Sequence, residues 1–460
     1  MALIKSISGI RGTIGGKPGE SLSPVDIVKF TSAFGTWIQL REERKALTVV
    51  VGRDARRSGK MVSNLVITTL RSLGINVTDL GLATTPTVEI AVTGIKADGG
   101  IIVTASHNPS EWNALKLLND KGEFLTSGDG MEVLKIAENE DFIFAGDDLT
   151  GSLVQDDTWG QKHIDQILGL EMVDVKTIKK AGLTVAIDCI NSVGGIILPR
   201  LLKSLGVDSI IELNTNPDGK FAHNPEPIPE NLTAISALVK ERKADIGFVV
   251  DPDVDRLAVV CEDGTMFGEE YTLVAVADYV LKSNPGSTVS NLSSTRALRV
   301  VSKSYGCKHF SSAVGEVNVV EEMKKRGAVI GGEGNGGVIY PEFHYGRDAL
   351  LGIALFLSHL SKINMKCSEL RQLYPQFIIA KKKLVLSPDS DFGRIINVVK
   401  DNFNGCSFDE RDGLWIDNKT GWVQIRKSNT EPIMRIYAEG RTTSEAEELA
   451  NRVIKIVKNH

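Results

Sequence analysis

The chain has 460 residues, 42% hydrophobic and 24% charged, with 53 basic against 58 acidic side chains and a formal net charge of −5. That composition is ordinary for a folded soluble protein, and without a run of one sign it argues against a general nucleic-acid binder while leaving room for a locally positive pocket. At about 150 residues per domain, the length predicts roughly three domains.

The start, MALIKSISGIRG, lacks the long apolar core of a secretory signal. The first unit then begins at ALTVVVGRDARRSG (46–59), an apolar strand followed by a polar loop. Apolar residues at helical spacing predict a helix over 62–73, closed by Gly74. Glycine suits the left-handed position that ends a helix. A second strand, INVTDLG, another helical stretch and a third strand follow, and the third strand GGIIV runs into Thr104-Ala105-Ser106-His107-Asn108-Pro109.

The same order recurs twice. GLTVAIDCINSVGG (182–195) leads into a helix over 196–205, Gly206, the strand VDSIIELN and a third strand ending in DPDVDR (251–256). GSTVSNLSSTRAL (286–298) leads into a helix over 297–305, Gly306, the strand CKHFSS and a third strand ending in GEGNGG (332–337). Strand–helix–strand–helix–strand, three times over, predicts three similar α/β domains with mixed, largely parallel sheets. Right-handed crossovers put the strand C-termini of each unit on one edge, where open α/β sheets bind ligands. Three unusual loops therefore occupy one place in three copies of a unit.

The most apolar stretch, 349–357, is too short to span a bilayer. From about 370 the pattern changes to antiparallel-looking strands and helices, including GWVQIRKSNTEPIMRIYAEG (421–440) and a final helix opened by Ser444 and Glu447 as a capping box. This is a fourth, α+β domain. The expected boundaries are 1–150, 151–256, 257–368 and 369–460. Five scattered cysteines without a CxxC pair fit a reduced, cytoplasmic protein.

The loops carry the chemistry. Asp251, Asp253 and Asp255 sit at alternate positions between two apolar strands, and three carboxylates this close repel unless a cation sits among them. Hard oxygen ligands suit Mg²⁺ better than zinc, and Arg256 adds a fork for phosphate. An EF-hand would need glycine where Arg256 stands, and helices rather than strands beside it. A phosphotransferase using Asp251 as its nucleophile, or a solvated acidic turn, remains open at this point. Ser106 reads as a hydroxyl able to accept and donate phosphate; the GxSxG of an esterase elbow is absent, and His107 is badly placed to serve its own neighbour as base. Lys116 is a positive clamp or a base. Glycines in GEGNGG let a backbone approach a ligand, with Glu333 and Asn335 to bind adjacent hydroxyls. Arg426, Lys427, Ser428, Asn429 and Thr430, with Arg435 beyond, form an anion nest for a phosphate monoester. A polar turn is the competing reading for each of these loops.

Together, TASHNP (104–109), DPDVDR (251–256), GEGNGG (332–337) and RKSNTEP (426–432), in that order, resemble the α-D-phosphohexomutase superfamily over essentially the whole chain. The resemblance implies four domains around a central cleft. Ser106 would be the phosphoserine, and Mg²⁺, one per chain, would bind Asp251, Asp253, Asp255 and the phosphate on Ser106. Glu333 and Asn335 would hold the sugar, and Arg426, Ser428, Asn429 and Thr430 the phosphate that is not reacting. Arg11 matches an N-terminal active-site arginine, Lys116 and Arg256 match basic residues near the phosphoserine, and His107 and Asn108 flank the nucleophile. Many bacterial members carry histidine where this chain has Gly337, which leaves Lys116, His107 and His344 as acid/base candidates. Hexose 1,6-bisphosphate would be the activator, and the substrate a hexose or hexosamine phosphate, glucosamine before glucose or mannose. A metal-dependent aspartyl phosphatase and a non-catalytic sugar-phosphate binder are the more distant alternatives. No nucleic-acid or membrane partner is expected, and the chain would work as a monomer or homodimer.

Overall fold

The computed structural model describes residues 3–6, 9–41, 46–387, 390–418, 420–427 and 433–459. Two hairpin strands, β1 (Leu3–Ser6) and β2 (Gly9–Thr13), precede the first repeat, which comprises β3 (Thr48–Arg53), β4 (Asn76–Leu82) and β5 (Gly99–Val103), followed by β6 (Trp112–Leu118) and β7 (Leu153–Gln155). The second repeat holds β8 (Thr184–Asp188), β9 (Ser209–Leu213) and β10 (Ile246–Val250), then β11 (Leu257–Cys261). The third holds β12 (Thr288–Asn291), β13 (His309–Ser312) and β14 (Ile330–Glu333), then β15 (Gly337–Ile339). The tail contributes β16 (Ile378–Val385), β17 (Ser407–Asp409), β18 (Leu414–Asp417), β19 (Trp422–Lys427) and β20 (Ile433–Gly440).

Pairing confirms the repeat. In each copy the first strand lies between the other two and parallel to both: β3 between β4 and β5, β8 between β9 and β10, β12 between β13 and β14. The crossover helices Gly59–Ser72, Gly194–Ser204 and Ala297–Ser304 stand where the apolar spacing predicts them. Gly74 and Gly206 follow two of these helices at φ +81° and +85°, the left-handed turn that a side chain would strain. The third strands β5 and β10 are apolar throughout because both faces are covered: every residue of each is buried.

The chain forms two compact units, 1–272 with 336–368, and 273–335 with 369–460. In the first, seven strands run β1-β2-β6-β5-β3-β4-β7 and four run β11-β10-β8-β9. The helix Ala349–Ile363 also belongs here and is buried from Ala349 to Ser361. In the second, the β12–β14 repeat accompanies an antiparallel sheet ordered β16-β20-β19-β18-β17, whose apolar face packs on Val399, Phe403, Ala450 and Val453. None of the five cysteines forms a disulfide. No helix among the described residues is long and apolar enough to cross a membrane.

One local expectation is corrected. The last helix spans Thr443–Lys458, and its cap is Thr442, which accepts from the Glu445 amide, rather than Ser444. Ser444 lies inside the first turn and donates to Glu448 at 2.7 Å. Both serine and threonine fit the capping pattern; β20 ends at Gly440, so Thr442 is the residue whose backbone is still extended where the helix begins.

Candidate active site

The three loops sit at the ends of β5, β10 and β14, and the first two belong to one unit. Antiparallel pairing of β10 with β11, Val250 opposite Leu257, folds residues 251–256 into a tight turn. Strands on both sides exclude the EF-hand. Asp251, Asp253 and Asp255 are completely buried and offer one oxygen each within 4.8 Å of one another. At an effective dielectric of about 20, two like charges that close cost roughly 3 kcal/mol.

The protein holds Asp253 and Asp255 through one oxygen each and Asp251 through both. Asp253 Oδ2 accepts from Lys116 Nζ and from Thr85 Oγ1, both at 2.6 Å. Asp255 Oδ2 accepts from Arg347 Nη2 at 2.6 Å, with Lys116 Nζ at 3.5 Å. Asp251 Oδ1 accepts the amides of Asp255 and Arg256 at 3.2 Å, and its Oδ2 accepts from Ser106 Oγ at 2.7 Å. Asp253 Oδ1 and Asp255 Oδ1 are buried without a hydrogen-bond partner among the described residues. Two orphaned carboxylate oxygens beside Asp251 are the donor set of a hard divalent cation, so these residues fit Mg²⁺. Arg256 Nε approaches Asp255 Oδ1 at 3.8 Å and Asp251 Oδ2 at 4.0 Å, too far to hydrogen-bond either.

Protonation follows from this packing. Burial lowers the Lys116 pKa, but Asp253 and Asp255 outweigh it and carry it above the usual lysine value. Burial raises Asp253, and Lys116 and Thr85 reverse that, leaving it well below the usual carboxylate range. Burial, then Asp255 and Asp253, push Asp251 well up. His107 is neutral: burial and Arg256 drive it well below the ordinary histidine value, and its Nδ1 has no hydrogen-bond partner among the described residues. Arg11, on β2, is lowered by burial, Arg256 and Arg347.

The loop bearing Ser106 is held by residues that the motifs do not announce. Ser106 has φ +48°, a left-handed conformation for a non-glycine residue. Its amide donates to Thr104 Oγ1 at 2.9 Å, and Thr104 Oγ1 donates to Asp54 Oδ2 at 2.7 Å. Arg56, 1% exposed, pairs through Nε with Asp54 at 3.0 Å. Its Nη1 donates to the carbonyls of Pro109 (2.6 Å) and Trp112 (2.9 Å), and its Nη2 to those of Ser106 and Asn108. The signal for this clamp lay in GRDARRSG, an acid and a base two residues apart at the end of a first strand. Asp54 belongs to a repeated device: Asp54, Asp188 and Asn291 each accept the amide two residues on, from Arg56, Ile190 and Ser293.

A second group centres on Asp348; of its members the sequence points only to His344, as an acid/base candidate, while Asp348, His163 and Glu89 carry no motif. Asp348 Oδ2 meets His163 Nε2 at 2.9 Å and His344 Nε2 at 3.3 Å, and Asp348 caps the helix Ala349–Ile363. His344 Nδ1 lies 3.4 Å from Glu89 Oε2, an ion-pair distance longer than a good hydrogen bond. Burial alone would lower His344, but Asp348 and Glu89 push it up to about 10. Held between two carboxylates, it is a fixed cation at neutral pH. Arg347, next to Asp348, is a further residue without a motif to flag it.

The second unit holds the remaining residues. Glu333 ends β14, 4% exposed, and its Oε1 accepts from Asn291 Nδ2 at 2.7 Å and the Gly315 amide at 3.0 Å. Asn335 Nδ2 lies 3.4 Å from Glu333 Oε2. Arg426 on β19 stands opposite Arg435 on β20. Like charges facing each other across a sheet destabilise it unless an anion intervenes. Arg435 Nε is buried with no hydrogen-bond partner among the described residues. Ser428, Asn429 and Thr430 lie outside the described residues.

Comparison with known proteins covers the whole chain. Phosphoglucomutase/phosphomannomutase alpha/beta/alpha domains I, II and III match residues 3–144, 161–264 and 268–377, and the C-terminal domain of the same family matches 363–456. A phosphoglucomutase/phosphomannomutase of Thermococcus kodakarensis is 36% identical over 97% of this chain and 98% of its own. A probable phosphoglucosamine mutase of Pyrococcus abyssi is 34% identical over 98% and 97%. Among solved structures, a phosphoglucomutase/phosphomannomutase family protein of Burkholderia thailandensis superposes with a TM-score of 0.85 at 27% identity, covering 99% of this chain and 97% of that one.

Proposed function

The chain belongs to the phosphoglucomutase/phosphomannomutase family, and on that ground we propose that it interconverts hexose 6-phosphate and hexose 1-phosphate through phospho-Ser106, with glucosamine phosphate as the preferred substrate and glucose or mannose phosphate next. The observation that carries this reading is the 2.7 Å bond from Ser106 Oγ to Asp251 inside a buried cluster of three carboxylates. A phosphatase using Asp251 as nucleophile is disfavoured by the same geometry, because both of its oxygens are engaged by Ser106 and two amides.

Asp251, Asp253 and Asp255 would hold Mg²⁺, which when bound neutralises charge on phosphoryl oxygens. The protein's own part is positioning and electrostatics, which dominate phosphoryl transfer. In the forward half-reaction the bond from phosphorus to Ser106 Oγ breaks, a bond from phosphorus to a sugar hydroxyl oxygen forms, and the leaving serine oxygen takes its proton from Asp251 Oδ2. Neutral His107 is suited to take the proton of that hydroxyl, and protonated Lys116, fixed against Asp253, supports the charge that develops. In the return half-reaction the other phosphoryl of the 1,6-bisphosphate passes to Ser106 Oγ, whose proton is already directed at Asp251 Oδ2. Arg11 and Arg256 add positive charge beside the nucleophile, and Asn108 lines it. Glu333 and Asn335 take sugar hydroxyls, while Arg426 and Arg435, with Ser428, Asn429 and Thr430, take the second phosphate. Hexose 1,6-bisphosphate would prime Ser106. The balanced charge and unpaired cysteines support a cytoplasmic enzyme of small molecules, and the proposed working form is a monomer or homodimer.

The test is ³¹P NMR of the protein with Mg²⁺, a trace of hexose 1,6-bisphosphate, and glucosamine, glucose or mannose 6-phosphate in separate tubes. A growing anomeric phosphate resonance supports the mutase and ranks the sugars. Release of inorganic phosphate alone overturns it in favour of the phosphatase.

A further inference from the structure

The strand bearing Arg426 carries an ion pair whose acidic partner, Asp412, lies outside the family motifs. Arg426 donates through Nε to Asp412 Oδ1 at 2.8 Å. This edge-on approach uses the Nε side of the guanidinium and leaves its Nη fork for another anion. Asp412 is itself fixed from two sides. Its Oδ2 accepts the Val314 amide at 3.0 Å, and its carbonyl accepts from Gln424 Nε2 at 3.0 Å. The following residue, Gly413, has φ +74°, and a Cβ there would lie 2.0 Å from the Ile425 carbonyl. Only glycine lets this turn press against β19, and that press brings Asp412 beside Arg426.

The anchor of Asp412 is shared with the sugar loop. Val314 donates to Asp412, and the next amide, Gly315, donates to Glu333. A second route runs parallel to it: Ser293 Oγ donates to Gln424 Oε1, and the Ser293 amide donates to Asn291 Oδ1, whose Nδ2 holds Glu333. Two hydrogen-bonded paths therefore join the strand bearing Arg426 to the carboxylate ending β14.

We propose that Asp412 is a positioning residue of the phosphate grip: it orients the Arg426 guanidinium for the non-reacting phosphate and ties it to the turn that places Glu333. The inference rests on the mutase reading above. An asparagine at 412 has one acceptor oxygen, so it can keep the Arg426 bond or the Val314 bond, and its amide group opposes the other donor.

The experiment compares wild type, Asp412→Asn, Arg426→Gln and the double variant in steady-state mutase kinetics, with a thermal melt of each. Asp412→Asn is expected to raise KM for the hexose phosphate roughly tenfold with kcat within about twofold, the pattern of lost binding rather than lost chemistry. In the Arg426→Gln background the same change is expected to add no further KM increase. Unchanged or lowered KM in Asp412→Asn at native melting temperature overturns the proposal, as do additive effects in the double variant. If Asp412→Asn proves unstable, Asp412→Ser, which retains one acceptor oxygen, is put through the same cycle and judged by the same criteria. A wild type that turns over no hexose phosphate instead refutes the mutase reading, and that outcome is read before any variant is compared.

Discussion

Replacing Arg56 by lysine isolates what holds Ser106, the proposed nucleophile, in place. Arg56 makes five side-chain bonds: one to Asp54, and four to the carbonyls of Ser106, Asn108, Pro109 and Trp112. An ammonium keeps the charge but has three donors, so at least two of the five bonds are lost. Bonds from charged groups contribute about 1.5–3 kcal/mol each, which places the loss of stability at about 3–6 kcal/mol. Against a total stability of about 5–15 kcal/mol, the variant remains folded at moderate temperature but melts early. Ser106, held at φ +48°, is then free to relax, and a misplacement of about 1 Å at a reacting atom costs on the order of a hundredfold in rate. Urea unfolding followed by circular dichroism gives the first quantity. Mass spectrometry of Ser106 phosphorylation by hexose 1,6-bisphosphate, alongside kcat, gives the second. A loss below about 1 kcal/mol with wild-type phosphorylation would show that the clamp is dispensable and refute the reasoning.

Three further outcomes are expected. Ser106→Ala removes most turnover while the melting temperature stays close to wild type; normal activity in that variant sinks the phosphoserine assignment. Asp255→Asn, which alters one of the two carboxylates with an oxygen left open for a cation, weakens Mn²⁺ binding by about tenfold or more, read from the free-ion signal in electron paramagnetic resonance; unchanged affinity removes Asp255 from the metal site. His344 has its pKa raised in the fold to about 10 from 6.5. The folded state therefore holds its proton more tightly, and the stability it contributes is full below about pH 6.5 and lost as pH rises through about 10. His344→Gln should flatten that decline between the two values, and an identical pH profile would show that the pairing of His344 with Asp348 and Glu89 carries no net stability.

Much of the fold was legible because it is written in local periods. Alternation of apolar strands with helices at a 3.6-residue spacing, and glycines at 74, 206 and 306, need no distant partner to be read. The four motifs were legible for a related reason: each concentrates its functional groups in six or seven consecutive residues, and the ends of parallel strands lie on one edge. The final helix shows where local patterning stops. Thr442 and Ser444 both fit a cap, and the end of β20 chooses between them. The clamp and the electrostatics are not local at all. Arg56 meets the Ser106 loop 50 residues on, Ser106 meets Asp251 across 145, and Arg347 meets Asp255 across 92. By itself the sequence determined three copies of an α/β unit, a fourth domain, and which loops carry the serine, the carboxylates and the cations. Only the tertiary structure decided which oxygen of each carboxylate is already taken, which histidine is neutral and which is a held cation. Those properties depend on burial and on charges brought within a few ångströms by chain segments far apart, and no spacing along the chain encodes that distance.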